Sequence, residues 1–456
     1  MAVAVIGVFA LLAYSVLTMR PAPPPPLATP SPALSPLETP AVTTTVAITS
    51  TSTPSPSPTA TRPAPLSPIQ SARAVQEVGR IVAGVRQLPP VEQIPVSFLT
   101  EHETAVLLLQ RYQTEQPQRE LNLYAALGLV PPLEPLPLPD VAAQAAHLSS
   151  LYVADGQQVL LVAGRGPATA EDERALVYAL AHALQDRAFE LTDLPPCQQT
   201  TDAALALQAL VEGDAVLSTA LYAGVSGDAQ AVDELAQMAA DALAPNYAPL
   251  ADHPAFQRLR LFPYRDGVQF VTALYDQGGW AAVDRAYALP PCSSEQVLHP
   301  ERYVQGAPVQ SVAMPDLGAT LGAGWLRVRH DTLGELFLGL HLAAGLDDGA
   351  AAWAAADGWA GDTFELWQDA TGQSVIAWRI AWDERDGAVA FEQAYGLVVP
   401  RLRTPPLIAV DAPFDLPGRF WQGPAGAAYL SRAGRVVTVV WGPDRQTVAS
   451  IAQALP

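Results

Sequence analysis

A long stretch that cannot fold limits the globular part of this chain to residues 69–456. Residues 21–68 hold 15 prolines and 17 serines or threonines among 48 residues, and their only charged side chains are Glu38 and Arg62. Such a segment has too little apolar surface to offset the entropy cost of ordering it, so the sequence predicts a disordered stalk here. Any hydrophobic core must therefore form from the residues that follow.

The predicted stalk comes directly after an apolar N-terminal run. Residues 2–19 carry no charge, and eighteen helical residues span about 27 Å, close to the ~30 Å hydrocarbon core of a bilayer. A cleaved signal peptide is the alternative for residues 1–20, although a basic n-region and an A-x-A cleavage site are missing. The expected localisation is the cell membrane, crossed once by residues 2–19, with the globular part outside the cytoplasm. Arg20, directly after the run, favours the opposite orientation on charge alone.

Charge and cysteine usage narrow the function classes further. The formal net charge is −20 at pH 7, which repels phosphate backbones and argues against a nucleic-acid partner. The only two cysteines, Cys197 and Cys292, each follow a Pro-Pro pair. In an oxidising compartment they predict one disulfide closing a loop of about 95 residues; two separate buried thiols are the alternative.

Hydrophobic periodicity predicts an α+β fold in two parts. For residues 69–304 it predicts a mainly helical domain with a small edge hairpin or sheet. The predicted helices there cover residues 69–87, 101–128, 139–149, 169–191, 200–222, 228–242, 265–276 and 279–288, with strands at 94–99 and within 150–163. For residues 305–456 it predicts a smaller α+β unit with a mostly antiparallel sheet. Strands are expected at about 325–330, 362–368, 374–382, 427–431 and 435–441, and helices at 331–344, 347–356, 384–396 and 443–454.

One predicted helix, residues 171–191, carries side chains of different character on opposite sides. Four leucines (Leu176, Leu180, Leu184 and Leu191) fall on one stripe at 100° per residue. Tyr178, His182 and Phe189 fall on nearly the opposite side. This pattern predicts a helix that is packed on both faces or that lines a cleft.

The same helix, in order with several other segments, resembles exported bacterial zinc metallopeptidases of the zincin type (HExxH, gluzincin-like). The family's active helix reads approximately HELTHALQDQ, and residues 178–186 read YALAHALQD. Further similar blocks, which extend the resemblance over about residues 90–395, are LYVADGQQVLLV, ALVEGDA, FPYRDGVQFV, GGWAAVDRAY, SSEQVLHPERY, GWAGDTFELW and WDERDGAVAF. The resemblance implies a zincin-like fold for the helical domain.

The resemblance also implies that the chemistry has been lost. Tyr178 stands where the family has its first histidine and Ala179 where it has the catalytic glutamate, while His182 and Glu212 match the remaining zinc ligands. A phenol has a pKa near 10 and is a poor zinc ligand, and a methyl group cannot accept a proton from water. We therefore expect no catalytic residue and no cofactor, although related intact sites hold zinc. His182 and Glu212 are then vestigial metal-site residues; a hydrogen-bonded core histidine and an ordinary salt-bridged glutamate are the alternatives.

These observations favour a membrane-tethered, extracytoplasmic pseudo-metallopeptidase that binds a peptide or protein partner without hydrolysing it. One alternative is an active hydrolase with an altered metal site formed by His182, Glu212 and Asp186. Another is a structural envelope or surface protein. Among the other histidines, His299 is the best candidate for one that faces the cleft.

Overall fold

The computed structural model describes residues 67–114, 117–133, 138–154, 156–163, 169–191 and 194–455. The predicted anchor at residues 2–19 and the predicted stalk as far as residue 66 lie outside these described residues. Within them the fold is α+β, which confirms the predicted class.

The part that precedes residue 305 is mainly helical. Its helices are α1 (Pro68–Arg86), α2 (Glu101–Thr114), α3 (Pro117–Ala126), α4 (Val141–His147), α5 (Ala170–Phe189), α6 (Thr201–Tyr222), α7 (Ala229–Leu243), α8 (Pro254–Gly278), α9 (Trp280–Ala288), α10 (Ser294–Leu298) and α11 (Pro300–Val304), with a short 3-10 turn at Ala248–Leu250. Its strands are β1 (Val96–Leu99), β2 (Ser150–Val153) and β3 (Gln158–Val162).

These three strands form one small sheet in the order β1-β3-β2. β3 pairs parallel with β1 and antiparallel with β2. The connection between β2 and β3 includes Gly156, whose φ of +79° suits glycine in a tight turn. The predicted strand–turn–strand unit is therefore confirmed, and β2 lies at the edge of its sheet.

Helix α6 runs through the centre of the helical part, in contact with α5, α7 and α8. Sixteen of its 22 residues are buried, most of them alanine, leucine or valine. The small residues allow neighbouring helices to approach closely. Because the helix is buried along most of its length, its sequence is apolar on nearly all sides.

The remaining part is built on a seven-stranded sheet in the order β4-β5-β6-β10-β9-β8-β7, with every pair antiparallel. The strands are β4 (Trp325–Asp331), β5 (Trp359–Asp369), β6 (Ser374–Trp382), β7 (Ile408–Val410), β8 (Arg419–Gly423), β9 (Gly426–Ala433) and β10 (Val436–Gly442). The helices are α12 (Gly318–Leu321), α13 (Gly334–Ala343), α14 (Gly349–Ala356), α15 (Arg385–Val398) and α16 (Arg445–Ala454), with 3-10 turns at Val399–Arg401 and Pro413–Asp415.

The two parts share one hydrophobic core, which runs from Val75 to Trp441. A buried hydrogen-bond chain also joins them. His341 Nδ1 donates to the backbone oxygen of Leu127 at 2.7 Å, and its Nε2 lies 2.8 Å from the hydroxyl of Tyr395. Burial lowers the pKa of His341 to about 4, so this histidine stays neutral at pH 7.

The structure differs from the sequence prediction at helix α8 and at several short elements. The predicted start at residue 265 is wrong because the helix begins at Pro254 and continues through Pro263. Proline at the first helical position is favourable, whereas Pro263 inside the helix costs one backbone hydrogen bond, which the packing of α8 offsets. Three short helices (α10, α11, α12) and strands β7 and β8 were not predicted, since they are too short to show a periodicity.

Candidate functional site

Helix α5 forms the floor of a cleft. It begins after Thr169, whose hydroxyl accepts a hydrogen bond from the backbone N–H of Asp172 at 3.1 Å. It ends at Glu190, which has a left-handed φ of +52°. Every residue from Leu176 to Asp186 is buried. The helix is therefore packed on all sides along its centre and also lines a cleft, as its opposed side chains predicted.

Three polar side chains meet on this floor: Tyr178 and His182, one turn apart on α5, and Glu212 of α6. The hydroxyl of Tyr178 donates a hydrogen bond to Glu212 Oε2. His182 Nε2 lies 3.2 Å from the same oxygen, close enough for an ion pair but not aligned for a hydrogen bond. The Tyr178 and His182 rings pack edge to face, with centroids 4.9 Å apart. Two side chains that lie 34 and 30 positions before Glu212 in the sequence thus converge on one of its carboxylate oxygens.

The charges in this cluster follow from its burial and its contacts. Burial alone would raise the pKa of the Glu212 carboxyl, but the neighbouring His182 and the Tyr178 hydroxyl outweigh it, and the pKa is lowered. Burial, followed by the negative charge of Glu212, raises the pKa of Tyr178 well above its usual range. Glu212 is therefore the ionised acceptor, and Tyr178 keeps its proton.

The residues on this floor do not fit a catalytic zinc ion. Such sites hold three protein ligands and a water. A phenol that keeps its proton and donates a hydrogen bond to Glu212 is not available as a ligand, so only His182 and Glu212 remain. Ala179, buried beside them, offers no group that could accept a proton from water. No hydrolytic step can be derived from this arrangement.

Asp186, the third ligand of the altered-metal-site alternative, has a different partner. Its Oδ2 accepts a hydrogen bond of 2.6 Å from the hydroxyl of Tyr152 on β2. On the neighbouring position, Gln185 Nε2 donates to the backbone oxygen of Val211 at 3.2 Å. These two bonds fix α5 against the sheet and against α6, and they hold the floor of the cleft in place.

A pair of glycines sets the position of α6 and hence of Glu212. A Cβ added at Gly213 would lie 2.2 Å from the backbone carbon and oxygen of Gly267 on α8. The two helix backbones therefore touch at this point, which only glycine allows. Glu212 is directed away from this contact, into the cleft.

The cleft above α5 has a volume of about 1460 Å³. Its walls come from α4, β2 and α7, and Tyr178, Ala179, His182 and Glu212 are among the residues that line it. A cavity of this size exceeds what a drug-sized ligand fills. It is large enough for several residues of an extended peptide.

One wall of the cleft is an unpaired strand edge. In the described residues β2 pairs with β3 alone, and Ser150, Leu151 and Tyr152 line the cleft. The N–H of Val162 donates to the oxygen of Ser149, so the alternating pattern of antiparallel pairs directs the backbone groups of Ser150 and Tyr152 away from β3. These groups can accept another strand.

Acidic side chains outnumber basic ones around the cleft. Six carboxylates and three arginines line it: Asp140, Glu171, Asp172, Glu212, Glu234 and Asp241, against Arg111, Arg174 and Arg260. One of the arginines, Arg260, is paired with Asp241 at 2.8 Å. The excess of negative charge favours ligands that carry basic groups and disfavours polyanions.

Two predicted features lie outside the lining of the cleft. Cys197 and Cys292 form a disulfide with Cα atoms 5.1 Å apart, which ties the loop after α5 to the segment before α10. His299 does not line the cleft, so its selection as the cleft-facing histidine is wrong; His147, at the end of α4, lines it instead. No local sequence pattern could show this, because the position of α10 and α11 depends on contacts with α8 and α13.

Sequence reasoning also missed a buried ion pair that lies on the other side of α6. Arg86 donates to both carboxylate oxygens of Asp214 at 2.8 and 3.0 Å through Nε, and again through Nη2 at 2.9 Å. The two residues are 128 positions apart, and no local pattern links them. An arginine and an aspartate on otherwise apolar helix faces were the only available signal.

A search of the described residues for membrane-spanning helices finds one helix, α6, with sufficient length and apolarity. In the fold, 78% of its apolar window is buried inside the protein. Together with its three buried carboxylates, Asp202, Glu212 and Asp214, this makes α6 a core helix of the folded part.

Comparison with known proteins matches the C-terminal part of the chain. A family model for a domain of unknown function (DUF8575) matches residues 323–452, from β4 to α16. No curated protein and no solved structure matches the chain. The matched residues cover the seven-stranded sheet and exclude the cleft, so the chain is similar to this domain family over its C-terminal part.

Proposed function

We propose that this protein is a non-catalytic binding protein that holds an extended peptide segment in the cleft above α5. One observation carries the proposal. The Tyr178 hydroxyl and the His182 imidazole both approach Glu212 Oε2, at the floor of a cleft of about 1460 Å³. The cleft is open to a ligand, while the groups that would activate water for hydrolysis are replaced by a neutral phenol and a methyl group.

The chemistry of the cleft wall favours a peptide as the ligand. The free edge of β2 offers backbone donors and acceptors at Ser150 and Tyr152, and a peptide that adds to a sheet edge gains affinity from such main-chain bonds. The acidic excess around the cleft favours a segment with arginine or lysine side chains. A folded protein partner could present such a segment in an extended loop.

The proposed location is the outer side of the cell membrane. It follows from the apolar run at residues 2–19 and the proline-rich segment after it, both read from the sequence. A tethered binding protein needs reach, and an extended stalk supplies about 3 Å per residue.

The absence of hydrolysis is tested by rebuilding the missing groups. The full-length chain, purified in detergent and supplied with zinc, is incubated with a mixture of fluorogenic peptides. We expect no cleavage by the wild type. The double substitution Tyr178→His with Ala179→Glu restores the HExxH pattern and is expected to gain cleavage. Tyr178→His alone supplies a third ligand but no general base, so it should be at least about 100-fold slower than the double variant. Zinc-dependent cleavage by the wild type would contradict the proposal.

Peptide binding is tested at the strand edge. Ser150→Pro removes an N–H that points away from β3 and leaves the β2–β3 pairing intact, whereas Ser150→Ala keeps that N–H. In fluorescence anisotropy with labelled basic peptides, Ser150→Pro should bind about five- to tenfold more weakly than Ser150→Ala, the value of one hydrogen bond. Equal affinities would show that the ligand does not add to β2 and would favour the structural surface-protein alternative.

A further inference from the structure

A second group of chemically active side chains lies outside the cleft, where α10, α11, α13 and α14 meet. His299 separates α10 from α11, Glu335 lies in the first turn of α13, and Asp357 follows the last residue of α14. One ligand atom from each of the three lies within 4.8 Å of the others. His299 Nε2 is 3.0 Å from Glu335 Oε1 and 3.9 Å from Asp357 Oδ1.

Buried carboxylate oxygens at this place have no hydrogen-bond partner among the described residues. Glu335 is 2% exposed, and its Oε2 is unpartnered although its Oε1 contacts His299. Glu295, in the adjacent helix α10, is 5% exposed, and its Oε1 is also unpartnered. The nearest basic group to that oxygen is Arg302 Nε at 4.0 Å, and Arg302 directs its Nη1 to Asp383. Carboxylates are costly to bury unless they are paired or coordinate a metal. A bound cation would therefore stabilise these unpartnered oxygens.

We propose that His299, Glu335 and Asp357 bind one divalent transition-metal ion, zinc by preference. An imidazole nitrogen with two carboxylates is a ligand set that zinc accepts, and calcium and magnesium prefer oxygen ligands alone. Ligands at about 2.0–2.2 Å from zinc lie roughly 3.3–3.6 Å from one another in a tetrahedron. The observed separations of 3.0 and 3.9 Å bracket that range.

The surroundings support coordination through His299 Nε2. The other ring nitrogen, Nδ1, lies 3.9 Å from Glu301 Oε1. A carboxylate next to the second nitrogen of a ligating histidine orients the ring and strengthens it as a ligand. His299 and Asp357 are accessible to solvent, with side-chain exposures of 30% and 61%, so a metal ion can enter and a water can complete its coordination.

The site would join the two parts of the molecule. His299 belongs to the helical part, while Glu335 and Asp357 belong to the segment that matches the domain family. A cation that binds the folded state stabilises it by mass action. The inference is independent of the peptide-binding proposal, because it uses none of the residues of the cleft.

The test is zinc stoichiometry on the full-length chain. After treatment with a chelator and dialysis, the protein is titrated with zinc by calorimetry, and the bound metal is measured by atomic emission. We expect one zinc per chain. His299→Gln, Glu335→Gln and Asp357→Asn should each weaken binding at least tenfold. His330→Gln is the matched control, because His330 Nδ1 also lies 2.9 Å from a buried glutamate, Glu365, but no third ligand among the described residues is grouped with them. This variant should bind zinc like the wild type.

Cobalt provides a direct reading of the ligands. Cobalt bound in place of zinc should give visible absorption bands that change in the His299→Gln protein and persist in the His182→Gln protein. Asp357→Asn alters an exposed side chain, so it tests the site even if substitution of buried Glu335 impairs folding. The inference is overturned if the wild type binds no zinc at micromolar concentrations, or if His299→Gln and Asp357→Asn retain unchanged affinity. Loss of zinc in His182→Gln with full retention in His299→Gln would place the metal in the cleft and overturn it as well.

Discussion

Two faces of helix α6 each carry a buried carboxylate, and the two carboxylates have different hydrogen-bond partners. Asp214 is fully buried and is neutralised by Arg86, with further hydrogen bonds from Tyr287 at 2.8 Å and Ser218 at 3.2 Å. Glu212, two residues earlier and about 160° away around the helix, faces the cleft. Its partners there are a phenol and an imidazole.

This difference in partners distinguishes Asp214, which has a structural role, from Glu212, which belongs to the candidate site. The guanidinium of Arg86 is also bonded to Asp284 at 2.7 Å and lies over the ring of Trp280, 4.1 Å from its centroid. Burial alone would lower the pKa of Arg86, but the charge of Asp214 raises it, so the pair stays charged. Glu212 contacts the Tyr178 hydroxyl and the His182 imidazole, and the charge of Arg111, another residue of the cleft lining, also lowers its pKa. Asp214, whose carboxylate is saturated with hydrogen bonds, holds the helices together. Glu212, whose carboxylate is shared between weaker donors, can change its contacts when a ligand binds.

The largest expected effect comes from removing the arginine that pairs with Asp214. Arg86→Met keeps the side-chain bulk and leaves Asp214 as an unpaired buried charge, so the free energy of unfolding should fall by about 3–5 kcal/mol. Urea denaturation followed by circular dichroism measures this loss. Combining Arg86→Met with Asp214→Leu should restore most of the stability, because no buried charge then remains. A loss below about 1 kcal/mol for the single variant would show that the two faces do not differ as described.

The residue between the two carboxylates gives the next largest effect. Gly213→Ala places a methyl group 2.2 Å from the backbone of Gly267, which must move. We expect a loss of about 3 kcal/mol, at the upper end of the range for overpacking. Gly84→Ala is the control, since a Cβ there meets nothing within 4 Å and alanine favours the helix by up to about 1 kcal/mol. Equal effects of the two variants in thermal denaturation would exclude the glycine contact as the constraint on α6.

A smaller effect is expected from the hydroxyl on the cleft face. Tyr178→Phe removes the hydrogen bond to the ionised Glu212 and should cost about 1.5–2 kcal/mol, the value for a hydrogen bond to a charged group. Tyr287→Phe removes the matching hydroxyl from Asp214, which keeps Arg86, and should cost less. Urea denaturation of both variants compares the faces directly. A larger loss for Tyr287→Phe would reverse the comparison.

The smallest effect is a pH dependence confined to the cleft face. Because the pKa of Glu212 is lowered in the folded state, its contribution to stability is present above its unfolded pKa of about 4.3 and is lost as the pH falls through the folded value. Glu212→Gln should therefore be less stable than the wild type at pH 6, and the difference should shrink below pH 4.3. Urea midpoints measured from pH 6 to pH 3 test this. A difference that stays constant over that range would show that Glu212 does not titrate as inferred.

Features that depend on residues close together in the sequence could be predicted, whereas most features that join distant residues could not. The limits of α5 and α6 followed within one or two residues from local periodicity, and in the structure Thr169 and Thr200 cap their N-terminal ends. The convergence of Tyr178 and Glu212 followed from the family resemblance rather than from any local pattern. The pairing of Arg86 with Asp214 and the grouping of His299 with Glu335 and Asp357 were not predicted, because each joins side chains from separate helices.

The sequence by itself determined which chemical groups are present: a chain with tyrosine at position 178 and alanine at 179 lacks a base there in any conformation. It also determined where most of the longer helices and strands form, since backbone hydrogen bonds and hydrophobic periodicity act over a few residues. Only the tertiary structure decided what each buried polar group meets, because the partner of a buried charge is chosen by helix packing. That choice directs Glu212 to a phenol at the cleft and Asp214 to an arginine in the core.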